Sequence, residues 1–171
     1  KRASCLVNPR ACHETELAYT PAARPLRIGV VGAGPAGLAC AVIARQRGHD
    51  VTLFDAQAEI GGQFNLAKRI PGKEEFHATL RYFRRQLELL KVTQKLGARV
   101  DAATLVASQF DAIVLATGVQ PRRPAFPGID HPKVLSYIDV LTGKAEVGKR
   151  VAIVGAGGIG FDVAAYLCEN H

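Results

Sequence analysis

Arg27-Ile28-Gly29-Val30-Val31-Gly32-Ala33-Gly34-Pro35-Ala36-Gly37 is an apolar run closed by three glycines in the spacing G-x-G-x-x-G. The run from Leu26 to Val31 is β-rich and not alternating, the pattern of a strand buried on both faces. From Gly37 to Arg47 the chain reads as a helix, stopped by Gly48. Val51 to Phe54 reads as a second strand. Together these make one βαβ unit of about 30 residues.

Each glycine in that turn has a task. Gly32 allows the tight passage from strand to helix. Gly34 lets the backbone approach a ligand, and Gly37 lets the helix pack closely on the strand. Pro35 falls in the first helical turn, where its missing N–H matters little. A helix N-terminus offers free N–H donors and a partial positive charge, which suits a pyrophosphate. Asp55 ends the second strand, about 20 residues past the fingerprint, where a carboxylate bonds the adenosine ribose. An acid there disfavours a 2′-phosphate, so NAD or FAD is expected rather than NADP. Glu59-Ile60-Gly61-Gly62 follows directly, a glycine pair that lets the chain cross close to an extended cofactor. Ala112 to Ala116 is a further apolar strand, ended by Thr117-Gly118. In flavoproteins with two dinucleotide-binding domains such a strand borders the flavin, so FAD is the expected cofactor.

A second fingerprint, Gly155-Ala156-Gly157-Gly158-Ile159-Gly160, stands near the other end of the chain. Arg150 to Val154 reads as its strand and Gly158 to Cys168 as its helix. Two fingerprints suggest a parent protein that passes electrons between two dinucleotides. Between them, Phe76, Leu80, Phe83, Leu87 and Leu90 mark an amphipathic helix over Glu74–Leu90. Val92 to Leu96 and the segment around Val100 read as short strands or extended pieces. Pro121 to Pro132 is a connection, and Ser136 caps a short helix to Leu141. Alternating strands and helices give an α/β fold: a Rossmann-like FAD-binding domain with a parallel sheet, plus the first βα unit of a second Rossmann-like domain. The expected organisation is an extended arm over 1–25, an incomplete FAD-binding domain over 26–130, and a linker with the start of a nicotinamide domain over 131–171.

Composition narrows the function classes. The chain has 171 residues, 48% hydrophobic, with net charge +7 and no Met. Its basic residues are scattered and aromatic content is 6%, so a nucleic-acid surface is not expected. No apolar run approaches a membrane span, and no signal region follows the N-terminus; a cytoplasmic location is expected. Cys40 and Cys168 read as buried small hydrophobes. Cys5 and Cys12, spaced C-x6-C, form no metal motif alone. Both ends read as cut. Residues 150–168, a truncated βα unit, are then expected either to pack on the flavin sheet or to pair with another molecule, which would make the chain self-associate.

Cys5-Leu6-Val7-Asn8-Pro9-Arg10-Ala11-Cys12-His13-Glu14 resembles the segment that joins barrel to flavin domain in bacterial 2,4-dienoyl-CoA reductases. The likeness continues through Thr52–Ala56, Glu59–Asn65, Ile70–Phe76, His131–Tyr137 and Gly155–Asp162. It runs over essentially the whole chain. The resemblance implies a parent enzyme with an FMN-bearing (β/α)8 barrel, a 4Fe-4S cluster, and FAD- and NADPH-binding domains. It implies electron flow from NADPH through FAD and the cluster to FMN, which reduces a 2,4-dienoyl-CoA. Cys5 falls on the fourth cluster ligand, and Cys12 on none. By the same resemblance, Ala36 meets the FAD pyrophosphate and Asp55 the ribose. Gln63 lies near the pyrophosphate or flavin end, Lys73 meets phosphate or flavin, and Val100 reads adenine through its backbone. Thr117 and Gly118 border the cofactor. Gly155, Gly157, Gly158 and Gly160 would hold NADPH. No catalytic side chain is assigned, and the chain alone is expected to be inactive. Its partners would be small-molecule cofactors and the barrel and NADPH-domain portions of the parent, with no nucleic acid and no membrane. Alternatives are an enoate reductase or an amine dehydrogenase, whose corresponding site can hold ADP without flavin, or a non-catalytic interaction domain.

Overall fold

A computed structural model describes residues 3–5 and 8–170. Leu6 and Val7 of the expected arm, and His171 at the end of the expected nicotinamide segment, lie outside the described residues. The chain divides into two compact units. The first holds the residues up to Gly62 together with Thr79–Gly118; the second holds Gln63–Ala78 and the residues from Val119 onward.

The first unit is built on four parallel strands: β1 (Arg27–Val31), β2 (Asp50–Asp55), β3 (Thr93–Leu96) and β4 (Ala112–Leu115), in the order β3-β2-β1-β4. Val30 pairs with Leu53 on one side and Val114 on the other. Parallel neighbours require crossovers, and α1 (Pro35–Gln46) and α3 (Glu75–Leu89) supply the helices between them. Helix α1 lays Leu38, Ala41 and Val42 on the sheet, all buried with Val30, Val51 and Leu53. Helix α3 buries Leu80, Phe83 and Leu87, the stripe its periodicity predicts. Gly29 matters to this core: a Cβ there would stand 2.9 Å from the Phe110 ring, which lies edge-on to Phe54.

Of the two readings open around Val100, a short strand is not formed. Helix α4 (Ala102–Ala107) begins two residues later, with Asp101 as N-cap accepting from the Thr104 N–H at 2.7 Å. The Thr104 side chain and N–H hold the Asp101 carboxyl below its ordinary range. A single capped turn outweighs a short extended run because the cap satisfies an orphan N–H.

The second unit consists of α2 (Phe64–Ala67), the start of α3, α5 (Tyr137–Thr142) and α6 (Gly158–Asn170). Helix α5 packs against α2 and α6, burying Val140, Leu141 and Val163. Ser136 caps α5 as expected, accepting from the Asp139 N–H at 3.1 Å. The expected strand over Arg150–Val154 is absent: these residues join no sheet. A strand exists only by pairing with a neighbour, and the described residues of the second unit include no other strand to receive it. No helix among the described residues is long and apolar enough to cross a membrane.

Candidate dinucleotide site

The first fingerprint leaves the sheet from its most constrained point. Gly32 N–H donates to the Phe54 carbonyl at 2.7 Å, and Ala116 N–H donates to the Val31 carbonyl at 2.8 Å. The turn is thus tied to β2 on one side and to the end of β4 on the other. Gly32 has φ +110°, and a Cβ there would strike the Ala116 carbonyl oxygen. A Cβ on Gly37 would strike the Gly32 carbonyl oxygen. Neither position admits a side chain. At Gly34 a Cβ would meet nothing within 4 Å. That is the open side of the turn, where a ligand can reach the backbone. Gly34 is also the N-cap of α1, with extended backbone and no side-chain cap, and Pro35 follows it. The first-turn N–H groups therefore face outward without a protein cap.

Asp55 does more than its position suggests. One carboxylate oxygen accepts from the Ala33 N–H at 2.6 Å, the other from the Gln57 N–H at 2.7 Å. The acid fixes the fingerprint turn to the end of β2. Each oxygen keeps a further acceptor site, so hydroxyl donors of a ribose remain compatible. The glycine pair closes on the same turn. Gly61 N–H donates to the Ala33 carbonyl at 2.7 Å, and a Cβ on Gly62 would stand 3.0 Å from Gly34 Cα. Both have positive φ, +123° and +52°. Ala33 is therefore held through its N–H and its carbonyl alike. Thr117 and Gly118 continue from the Ala116 contact and are exposed, Gly118 with φ +73°. Val100 is half-buried beyond β3, where Gly97 N–H reaches the Gln57 carbonyl at 2.9 Å. Gly32, Gly34, Pro35, Ala36, Gly37, Asp55 and Gly62 thus gather on one turn, with Thr117–Gly118 beside it and Val100 further along the same strand-end edge. Strand order reverses at β1, and ligands of open parallel sheets bind outside the strand ends at such a point.

Gln63 and Lys73 belong to the second unit. Gln63 Nε2 donates to the Val119 carbonyl at 2.9 Å. Lys73 Nζ holds both carboxylate oxygens of Asp162, at 2.7 and 2.6 Å. That partner, on α6, is one sequence reading missed; nothing in local spacing links the two positions. Next to Lys73, the Glu74 carboxyl is held below its ordinary range by backbone N–H groups, its own and that of Gly72. The second fingerprint repeats the local turn of the first. Gly155 has φ +119°, a Cβ on Gly160 would strike the Gly155 carbonyl oxygen, and Gly157 and Gly158 face open space. Among the described residues of its unit it has no counterpart to Asp55 or to the flanking strands.

The cysteines do not assemble a cluster site. Cys5 is exposed, and its Sγ accepts from the Asn8 N–H at 3.4 Å. No group of three or more His, Cys, Asp or Glu side chains among the described residues could hold a metal. A 4Fe-4S centre needs four thiolates, so the described residues do not by themselves fit one. Cys40, half-buried in α1, has its thiol pushed up by burial.

A dinucleotide does fit the first turn: open backbone at Gly34, uncapped donors, an acid at the ribose position. The sequence matches the pyridine nucleotide-disulphide oxidoreductase family over residues 26–170. It is 36% identical, over 99% of its length and 26% of the relative's, to a metal reductase of Desulforamulus reducens. It is 41% identical, over 74% of its length and 19% of the relative's, to an N,N-dimethylglycine/sarcosine dehydrogenase of Chromohalobacter salexigens. The structure of a 2-naphthoyl-CoA reductase in complex with 2-naphthoyl-CoA superposes with a TM-score of 0.93 at 38% identity, covering 98% of this chain and 26% of that one. The chain spans about a quarter of the length of the first of these relatives, and less of the second. With a parallel Rossmann-like sheet and a match over most of its length, the chain belongs to the pyridine nucleotide-disulphide oxidoreductase family.

Proposed function

We propose that the chain is the FAD-binding part of a flavoprotein reductase of the 2,4-dienoyl-CoA reductase type, in which NADPH is the electron donor. The observation that carries the FAD assignment is the double anchoring of Ala33. Asp55 and Gly61 hold its peptide groups, which fixes the fingerprint before any ligand arrives. Preorganised donors cost little to orient on binding. Bound there, FAD supplies exchange between a two-electron nicotinamide donor and single-electron carriers.

The chain's own residues bind and orient. The Ala36 and Gly37 N–H groups offer donors to the pyrophosphate at the α1 terminus. Asp55 accepts from ribose hydroxyls with the lone pairs its two backbone bonds leave. The Val100 backbone meets adenine, and Thr117 and Gly118 line the flavin side. Gln63 and Lys73 approach the pyrophosphate or flavin end; for Lys73 this requires release or sharing of Asp162. Gly155, Gly157, Gly158 and Gly160 form the pyrophosphate turn for NADPH. Cys5 would be one ligand of a 4Fe-4S cluster whose other ligands, like the FMN barrel, belong to a longer parent chain. Similarity to a reductase of an aromatic acyl-CoA supports an unsaturated acyl thioester as the substrate class. Heat-denaturing the purified chain and recording the supernatant spectrum tests this: flavin absorbance, resolved as FAD by chromatography, is expected.

A second reading has its own support. The relative that oxidises methylated glycines is 41% identical to this chain. An amine-dehydrogenase part would hold ADP at the same turn and release no flavin. A colourless chain that yields ADP on denaturation would establish that reading over the first.

A further inference from the structure

We propose a second ligand site in the first unit: a groove for a small carboxylate on an apolar body, at the sheet end away from the fingerprint. The groove is open to solvent along its length and holds about 370 Å³, near the lower end of the range for small-molecule pockets. Ile28, Ile43 and Ala44 form its apolar wall, and Tyr19, Arg47 and His49 are its polar lining. Ile28 lies near the start of β1 and His49 just before β2, so the groove opens at the amino ends of the strands.

Its polar lining is made of donors. His49 Nδ1 accepts from the Leu26 N–H at 3.1 Å, which puts the neutral ring's proton on Nε2. That N–H has no acceptor among the described residues. Arg47 spends Nε on the Thr20 carbonyl at 3.0 Å and leaves its two terminal nitrogens without an acceptor among the described residues. No Asp or Glu lines the groove. Beside it, Arg10 lies over the Tyr19 ring at 5.2 Å, and its Nε is buried with no hydrogen-bond partner. The nearby acids of the arm are engaged elsewhere, Glu14 by the Cys12 N–H and Glu16 by His13. Two guanidinium groups therefore flank Tyr19–Thr20 with no carboxylate to answer them. Arg47 is exposed, and Arg10 is half-buried with its Nη2 donating to the Glu14 carbonyl at 3.5 Å. An anion answers the donors that remain, and an apolar tail suits the aliphatic wall. Guanidinium and imidazole N–H groups pair with a carboxylate by charge-assisted hydrogen bonds.

The test is an NMR titration of the isotope-labelled chain with hexanoate, in parallel with 1-hexanol, hexylammonium and inorganic phosphate. Saturable shifts are expected at Tyr19, Cys40, Arg47 and His49 with hexanoate. Hexanol should bind about tenfold more weakly, the loss expected when a charged hydrogen bond goes. Arg47→Met should weaken hexanoate by about tenfold. Cys40→Phe, which fills the groove from α1, should abolish the shifts, and it decides the matter if the arginine variant does not fold. The proposal is overturned by absence of saturable shifts, by hexanol or phosphate binding as tightly as hexanoate, or by shifts confined to the fingerprint turn.

Discussion

The two glycine fingerprints share a local geometry and differ in everything around it. Gly32 and Gly155 take nearly the same backbone angle, φ +110° and +119°. A Cβ added at Gly37 or at Gly160 would strike the carbonyl oxygen of the glycine that opens its turn. Yet Val30, two residues before Gly32, is fully buried, while Ile153, two residues before Gly155, is 41% exposed. A fingerprint sequence therefore encodes its turn and helix alone. The strand that should precede it depends on neighbours, and only β1 has them, β2 and β4. The same contrast holds for the bracing: Asp55 and Gly61 hold the first turn, and nothing of that kind among the described residues holds the second.

The comparison is most exposed to paired glycine substitutions. Gly37→Ala forces a methyl into a turn pinned on both sides and should cost about 3 kcal/mol, with loss of FAD binding. Gly160→Ala meets the same carbonyl on an unpaired segment that can shift, and should cost about 1 kcal/mol or less. Native-state hydrogen exchange in α1 and α6 reads the two separately; equal losses would break the contrast. Asp55→Ala removes the acceptor for two backbone N–H groups and should cost about 2 kcal/mol, lowering the melting temperature and FAD affinity together. Unchanged FAD affinity would favour an interaction domain over a flavin site. The smallest effect should come from Lys73→Met. Its pair with Asp162 is about one-third exposed on each side, so about 0.5 kcal/mol is expected, seen as faster exchange near the start of α6 and diminished by salt.

Where sequence reading succeeded, the signal was either local or periodic. The glycine spacing revealed the turn, the apolar runs revealed β1, β2 and β4, and the stripe through Leu80, Phe83 and Leu87 revealed α3. Ser136 announced α5. Helix α4 was missed although Asp101 and Thr104 carry a legible capping signal, because the apolar residue before it suggested an extended run. Residues 150–154 were read as a strand on composition alone, and composition cannot say whether a partner strand exists. The bond between Lys73 and Asp162 joins positions that only tertiary structure relates. The same is true of the bond from Ala33 to Asp55: the sequence offers the acid as a candidate ribose ligand, and its grip on the turn is visible only in the structure.

The strand order has a consequence for biosynthesis. β1 sits inside the sheet, but its second neighbour, β4, comes last of the four strands in the chain. Synthesis runs from the N-terminus, so β1 and β2 can pair long before Ala112–Leu115 leaves the ribosome. For that interval the far edge of β1 presents unpaired peptide groups beside Ile28 and Val30, an edge of the kind that recruits other chains. Arrival of β4 seals this edge and, through Ala116, closes the wall of the fingerprint turn in the same step.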